Sequence, residues 1–234
     1  MSECHAWSPL SCCYRNVSEA LHNDYSPLYG FTLDHCYREK RVKMSQECRD
    51  YFLRDHCFYE CEPNLGPWVV PDPKKKWRKE RIHSVPLCAS ECNDWFNACR
   101  NDFTCTDNWS TKFKWRRGTN HCPGICETFD HIFNGSAKTF CETVFDGDFV
   151  FTPDSSPCMR FRFDPDLPNP NAAVAEWKVH ELKAAKATLV VENGIVKSGG
   201  DQRHVYSTGN SAEMSVASRP LALLLLLVCY VASN

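Results

Sequence analysis

Two stretches that mix aromatic and basic residues hold the side chains best suited to chemistry. Lys74 to Arg81 reads KKKWRKER, six basic residues in eight, with Trp77 inside it. A second basic cluster, Lys112, Lys114, Arg116 and Arg117, is interleaved with Phe113 and Trp115 just after Trp109. A buried ring does not need a guanidinium beside it. A flat, conjugated, anionic ligand uses both, because rings stack on its faces and guanidinium groups bind its oxygens. Tyr29, Phe31, Tyr59, Trp68, Trp95, Phe145 and Phe149 crowd the cysteine-rich stretch between Cys4 and Cys158. Each taken singly reads as core packing, Trp95 above all, but the joint pattern reads as a ligand pocket. KKKWRKER also has the composition of a nucleic-acid or nuclear-localisation patch. The oxidising compartment implied by the cysteines opposes that, and the lysines alone read as a solvated face.

Other chemistries find less support. Zinc modules use Cys-x-x-Cys pairs, whereas the pairs here are Cys-x-x-x-Cys: Cys57/Cys61, Cys88/Cys92 and Cys122/Cys126. His35, His56 and His121 each directly precede a cysteine and read as neighbours of the framework rather than as metal ligands. There is no nucleophile elbow and no zinc-protease helix. The chain reads as a binding protein and not an enzyme, with no cofactor, no metal and no nucleic-acid partner.

The positioning elements start from sixteen cysteines, fifteen of them between Cys4 and Cys158. So many thiols imply a disulfide framework built in an oxidising compartment, hence a secreted or extracellular protein. Its members are Cys4, Cys13, Cys36, Cys48, Cys57, Cys61, Cys88, Cys92, Cys99, Cys105, Cys122, Cys126, Cys141 and Cys158, with Cys12 adjacent to Cys13. Adjacent cysteines must bridge to different partners. Fifteen is odd, and Cys229 lies in a C-terminal apolar run, so one domain cysteine is expected to be left over. The opening MSECHAWSPL has neither a basic nor an apolar signal region; the expectation is that the true start is missing or wrongly assigned. With 234 residues, 14 prolines and a net charge of −2, the chain suits one stapled domain with appendages, and global charge points to no partner.

Cys-x-x-x-Cys spacing puts both sulfurs on one helical face, so each pair is expected to staple a helix to other elements. The clearest helix is Leu87 to Arg100, with Leu87, Cys88, Cys92, Trp95, Phe96 and Cys99 on one stripe and Pro86 suiting its first turn. Others are expected from Pro123 to Asn134, stopped by Gly135, from Cys48 to Glu62, ended by Pro63, and from Ala172 to Ala187. Strand signals are weak and short. The fold class is therefore α+β: a small disulfide-rich globular domain with several helices, short strands and long loops. The expected organisation is a cysteine-rich domain over residues 1–177, a stalk over 178–210 and a C-terminal signal over 211–234. The polar run Ser198 to Ser218 reads as unstructured. The end, PLALLLLLVCYVASN, has about half the roughly 20 apolar residues of a spanning helix. It matches a glycolipid (GPI) anchor signal, removed on maturation, with Asn210 as the preferred attachment residue and Ser207 to Gly209 as the fallback. Sequons at Asn16, Asn108 and Asn134 are candidate glycosylation sites.

Several strings resemble the folate receptor family: Asp55-His56-Cys57-Phe58-Tyr59-Glu60-Cys61-Glu62-Pro63-Asn64-Leu65-Gly66-Pro67-Trp68, Trp77-Arg78-Lys79-Glu80-Arg81 and Val85-Pro86-Leu87-Cys88. Cys12-Cys13, Leu28-Tyr29-Gly30-Phe31, Cys99-Arg100, Cys105 with Asn108-Trp109, and Phe163-Asp164-Pro165 resemble it too. The resemblance runs from Cys4 to about Trp177. It implies that Asp55 accepts from the amine edge of a pterin, that Arg78 and Arg81 donate to its oxygen, and that Tyr59 stacks on one face. Trp77 and Trp109 would line the aminobenzoate region, Tyr29 and Phe31 the same wall, with Phe113 and Trp115 nearby. The other wall departs from the family pattern. Phe145, Asp148 and Phe149 stand where the family carries tryptophan, serine and tyrosine, and Ser110 and Thr111 replace a histidine and a lysine that help hold the glutamate tail. Lys112, Lys114 or Arg116 would then compensate. The resemblance further implies Cys4–Cys57 and Cys13–Cys61 bridges, and an upstream cysteine whose absence would leave Cys12 unpaired.

On this reading the protein is a GPI-anchored receptor on the extracellular face of the plasma membrane, reached through the secretory pathway. It binds folate or a reduced folate or pterin derivative, as ligand rather than cofactor, and takes it up by endocytosis. The alternatives are a Juno-type adhesion or gamete-recognition protein with a protein partner and a relic pocket, or a binder of another flat heterocycle such as riboflavin.

Overall fold

A computed structural model describes residues 4–8, 10–13, 30–73 and 79–198, with residues 186–198 as backbone alone. Six α-helices are present among them: α1 (Tyr37–Lys40), α2 (Gln46–Cys61), α3 (Ala89–Cys99), α4 (Phe129–Ile132), α5 (Ala137–Thr143) and α6 (Asn171–Ser198). The strands are short and form two-stranded pairs. β1 (Val69–Pro71) runs antiparallel to β2 (Glu80–Ile82), and β3 (Val85–Cys88) parallel to β8 (Phe149–Thr152). β4 (Phe103–Thr104) pairs with β7 (Glu127–Thr128), and β5 (Lys114–Arg116) with β6 (Thr119–His121), both antiparallel. The architecture is mixed α+β and disulfide-rich.

Helix α2 shows why its boundaries fall where they do. The Ser45 hydroxyl accepts from the Cys48 amide at 3.3 Å, capping the first turn, and itself donates to Asp102 at 2.5 Å. At the other end Glu62 leaves helical geometry at ψ 114°, and Pro63, lacking an amide hydrogen, opens a separate 3-10 turn over Pro63–Trp68. The buried face of α2 carries Cys48, Tyr51, Phe52, Asp55, Cys57 and Phe58.

Two expected helices are shorter than the pattern suggests. The stripe from Leu87 to Cys99 is buried as expected, but helix begins only at Ala89. Val85–Cys88 is instead a central strand, paired with β8 on one side and bridged to Met159 on the other. Pro86 lies within it, using its carbonyl to accept from the Met159 amide. Between Pro123 and Asn134, only Phe129–Ile132 is helical. Cys122 and Cys126 are drawn to Cys105 and Cys36, and Glu127–Thr128 joins β4, so the segment before Phe129 is not helical. Gly135 does end this stretch, at φ +65°. The C-terminal helix runs to Ser198, further than Ala187, so residues 178–198 of the expected stalk are helical.

The core is aromatic. Phe52, Phe58, Trp95, Phe129, Phe133, Phe140, Phe149 and Phe161 are fully buried, with mainly edge-on ring contacts such as Trp95 to Phe140 at 5.0 Å. Seven described disulfides surround it: Cys4–Cys57, Cys13–Cys61, Cys36–Cys126, Cys48–Cys99, Cys88–Cys158, Cys92–Cys141 and Cys105–Cys122. The Cys57/Cys61 pair staples the last turn of α2 to the N-terminal segment. The Cys122/Cys126 pair does its stapling from a loop. Cys12 is also disulfide-bonded, which corrects the expectation that it stands unpaired. Its neighbour is committed to Cys61, so the two adjacent sulfurs do serve different bridges. The sulfurs of Cys36, Cys105, Cys122 and Cys126 lie within 4.8 Å of one another, but they belong to two adjacent disulfides and offer no thiolate to a metal.

Candidate functional site

A cavity of about 280 Å³ opens between α2 and the loops facing it. Helix α2 supplies the floor. Asp55 and Tyr59 are four residues apart, so one face presents both to the cavity. One turn below, Phe52 stacks flat under Trp109, with ring centroids 4.4 Å apart and planes 11° from parallel. The Trp109 indole nitrogen donates to the Thr104 hydroxyl at 3.0 Å, and its amide to the Val144 carbonyl at 2.7 Å, so this ring is held at both ends. Phe31 leans on Trp109 at 5.4 Å.

The hairpin β5–β6 forms the rim. Arg117 and Gly118 both have positive φ, the two-residue turn whose twist suits a hairpin. Alternation along β5 turns Trp115 to the cavity. Lys114 and Arg116 line a separate cavity of about 420 Å³ beside His121 and the Cys36–Cys126 and Cys105–Cys122 bridges. Gly30 permits its own backbone to approach this turn closely: at φ +80°, a Cβ there would lie 1.8 Å from the Gly118 carbonyl oxygen. Lys112 does not face the cavity either; it pairs with Asp107 at 2.5 Å.

Phe145, Asp148 and Phe149 close the far wall. Asp146 and Gly147, at φ +59° and +80°, bend this loop, and the Ser84 and Val85 amides fasten it to the start of β3 through the carbonyls of Gly147 and Asp148.

Charge in the cavity is unusual. Asp55 is 6 % exposed, and no side chain among the described residues hydrogen-bonds its carboxyl. Burial first, and the nearby Asp148 second, hold it well above the ordinary carboxylate range. Arg81 does not line the cavity. Its guanidinium grips Asp148 through Nη2 and, at 3.1 Å, through Nε. It also donates to Asp146 Oδ2 at 2.9 Å and to the carbonyls of Phe145 and Asp146 at 3.0 and 2.7 Å.

A sequence profile of the Folate receptor family matches residues 1–160. The chain belongs to the folate receptor family. It is 38% identical over 187 residues to folate receptor gamma of Homo sapiens, covering 78% of this chain and 74% of the relative. Bovine folate receptor alpha is 38% identical over 180 residues, 75% of this chain and 72% of the relative. The riboflavin-binding protein of Dromaius novaehollandiae is 32% identical over 162 residues, 68% and 63% of the two chains. By name these relatives are receptors and vitamin-binding proteins.

Of the residues that the folate receptor resemblance marks out, the cavity gathers Phe31, Asp55, Tyr59, Trp109 and Trp115, together with Phe145, Asp148 and Phe149. Phe113 sits behind them, packed on Phe31 and His35. Tyr29, Trp77 and Arg78 lie outside the described residues, as do Asn16 and Asn210. The cavity also includes His56, Ile82 and Ser110. His56 and Ile82 carried no signal beyond standing next to Asp55 and Arg81. Of the sequons, Asn134 is exposed, and Asn108 donates from its amide to Asp146 at 2.9 Å beside the mouth. No helix among the described residues is long and apolar enough to cross a membrane.

Proposed function

We propose that this protein is a cell-surface receptor that captures folate or a related pterin and carries it inward by endocytosis. One observation carries the reading: a buried carboxyl, Asp55, faces a cavity walled mainly by aromatic rings, and no side chain among the described residues hydrogen-bonds it. Leaving such a group unsatisfied costs about 1–3 kcal/mol, and a ligand with an adjacent amine and ring N–H supplies the missing donors. Phe31, Tyr59, Trp109 and Trp115 provide faces for a flat ring. Attachment through a glycolipid near Asn210, sugars on Asn108 and Asn134, and the division at residues 177 and 210 belong to the same reading.

Intrinsic tryptophan fluorescence tests it. Folic acid at pH 7.4 is expected to quench emission from Trp109 and Trp115 saturably, and Asp55→Ala is expected to abolish the effect while the protein stays folded. The diversion of Arg81 to Asp148 favours a second reading, an adhesion protein with a relic pocket. Absence of quenching by folic acid and by riboflavin, in folded protein, would favour it; saturable quenching by riboflavin alone would point to the other vitamin.

A further inference from the structure

We infer that the basic cavity behind the β5–β6 hairpin is a binding site for sulfate esters carried on a sulfated polysaccharide. It lies on the face of β5 opposite Trp115, so it stands or falls apart from the pterin reading. Three permanent cations meet at this cavity of about 420 Å³: Arg38 from α1, and Lys114 and Arg116, two residues apart and so on one face of β5. His121 joins them from β6. Like charges gathered round one concavity repel, and an anion seated among them turns that repulsion into attraction. The acid of the described lining, Glu39, is drawn to the wall. Its two carboxylate oxygens accept from the Cys126 amide at 3.3 and 3.2 Å, and it pairs with Lys40 at 3.3 Å.

The cations are held in place before any ligand arrives. Cys36, directly ahead of α1, is bridged to Cys126, and Cys122, directly after β6, is bridged to Cys105. Asn120 ties the hairpin to the segment before α1: its side chain accepts from the Thr32 amide at 2.8 Å and donates to the Thr32 carbonyl at 3.1 Å. Helix and hairpin are thus braced against each other, and little backbone ordering is left for binding to supply. The guanidinium forks of Arg38 and Arg116 suit tetrahedral oxyanions, which accept paired N–H groups. Basic residues also continue past the cavity. Arg41 and Lys43 follow α1, Arg117 tips the hairpin, and all three are exposed. A ligand bearing several anionic groups along a chain fits this distribution better than a single ion. A framework of so many disulfides is built for an oxidising, extracellular setting, where sulfated sugar chains are the common polyanions.

A heparin octasaccharide is the probe, followed by isothermal titration calorimetry at pH 7.4 and physiological salt. The unaltered protein is expected to bind it, and a desulfated octasaccharide, which keeps its carboxylates, is expected not to bind. Arg38→Gln/Arg116→Gln should weaken binding about tenfold or more. Lys138→Gln/Lys183→Gln removes the same charge from exposed positions on α5 and α6 and should leave binding nearly unchanged. Absence of binding by the folded, unaltered protein overturns the inference, as does equal binding of the desulfated chain. Equal losses in the two double variants would make net charge the cause and overturn it too. Full binding by folded Arg38→Gln/Arg116→Gln also overturns it, and moves sulfate recognition to another basic stretch such as Lys74 to Arg81. None of these outcomes depends on whether folic acid binds.

Discussion

Replacing His35 should flatten the response of stability to mild acid. Its imidazole is wedged against Trp109 at 5.1 Å and Phe113 at 4.9 Å. Nδ1 donates to the Thr32 carbonyl at 3.3 Å, and Nε2 lies within hydrogen-bond distance of the Thr104 hydroxyl, also at 3.3 Å. Burial lowers its pKa from 6.5 to about 4, against smaller opposing effects of Thr32 and Asp34. The folded value is depressed, so the unfolded chain takes up the proton first. The stabilisation is present above pH 6.5 and is lost as pH falls through the window from 6.5 to about 4. Between pH 7.4 and 5.5 this single group should remove about 1 kcal/mol, approaching about 3 kcal/mol below pH 4. Guanidinium unfolding at pH 7.4 and 5.5, with disulfides intact, measures it in the unaltered protein and in His35→Asn. The variant is expected to be weaker at both pH values, because its ring contacts are gone, but to lose about 1 kcal/mol less on acidification. Equal losses in the two proteins would refute the buried neutral imidazole.

Two other substitutions probe the supports of the site. Gly30→Ala puts a Cβ into the Gly118 carbonyl at a positive φ; it should destabilise by about 2–4 kcal/mol and loosen the Phe31–Trp109 contact, read as a lower guanidinium midpoint and a red-shifted tryptophan emission. Glu62 is 2 % exposed and accepts from the Trp7 indole and from the side-chain amides of Asn64, Asn169 and Asn171, at 2.6 to 3.1 Å. Glu62→Gln turns one acceptor into a donor among donors and should cost about 2–3 kcal/mol in the same unfolding experiment.

How far the sequence announces this architecture depends on how local each signal is. Helix α2 is legible because its stop signal, Pro63, and its cysteine spacing are local. Strand β3 is not, because Val85 pairs with Phe149 from a distant segment, and a short apolar run fits either structure until its partner is known. The same holds for Cys122 and Cys126, whose helical spacing yields to bridges pulling in two directions. In the site, Asp55, Tyr59 and Trp109 are legible through aromatic crowding and family resemblance. The capture of Arg81 by Asp148 is not: which acid claims an arginine depends on a loop geometry, set by Asp146 and Gly147, that residue types alone do not specify.

The Glu62 cluster also has a mechanical meaning. Helix α6, 28 residues long, is a rod of about 42 Å. Its first residue, Asn171, and Asn169 just ahead of it are tied to Glu62, and the helix packs on the turn Pro63–Trp68. A pull along this rod therefore enters the domain one residue beyond the last turn of α2. That turn is cross-linked twice to the N-terminal segment, through Cys57 and Cys61. If the chain is held through its C-terminus, as proposed above, tension would meet these covalent bonds before it reaches Asp55 and Tyr59, and the cavity should keep its shape.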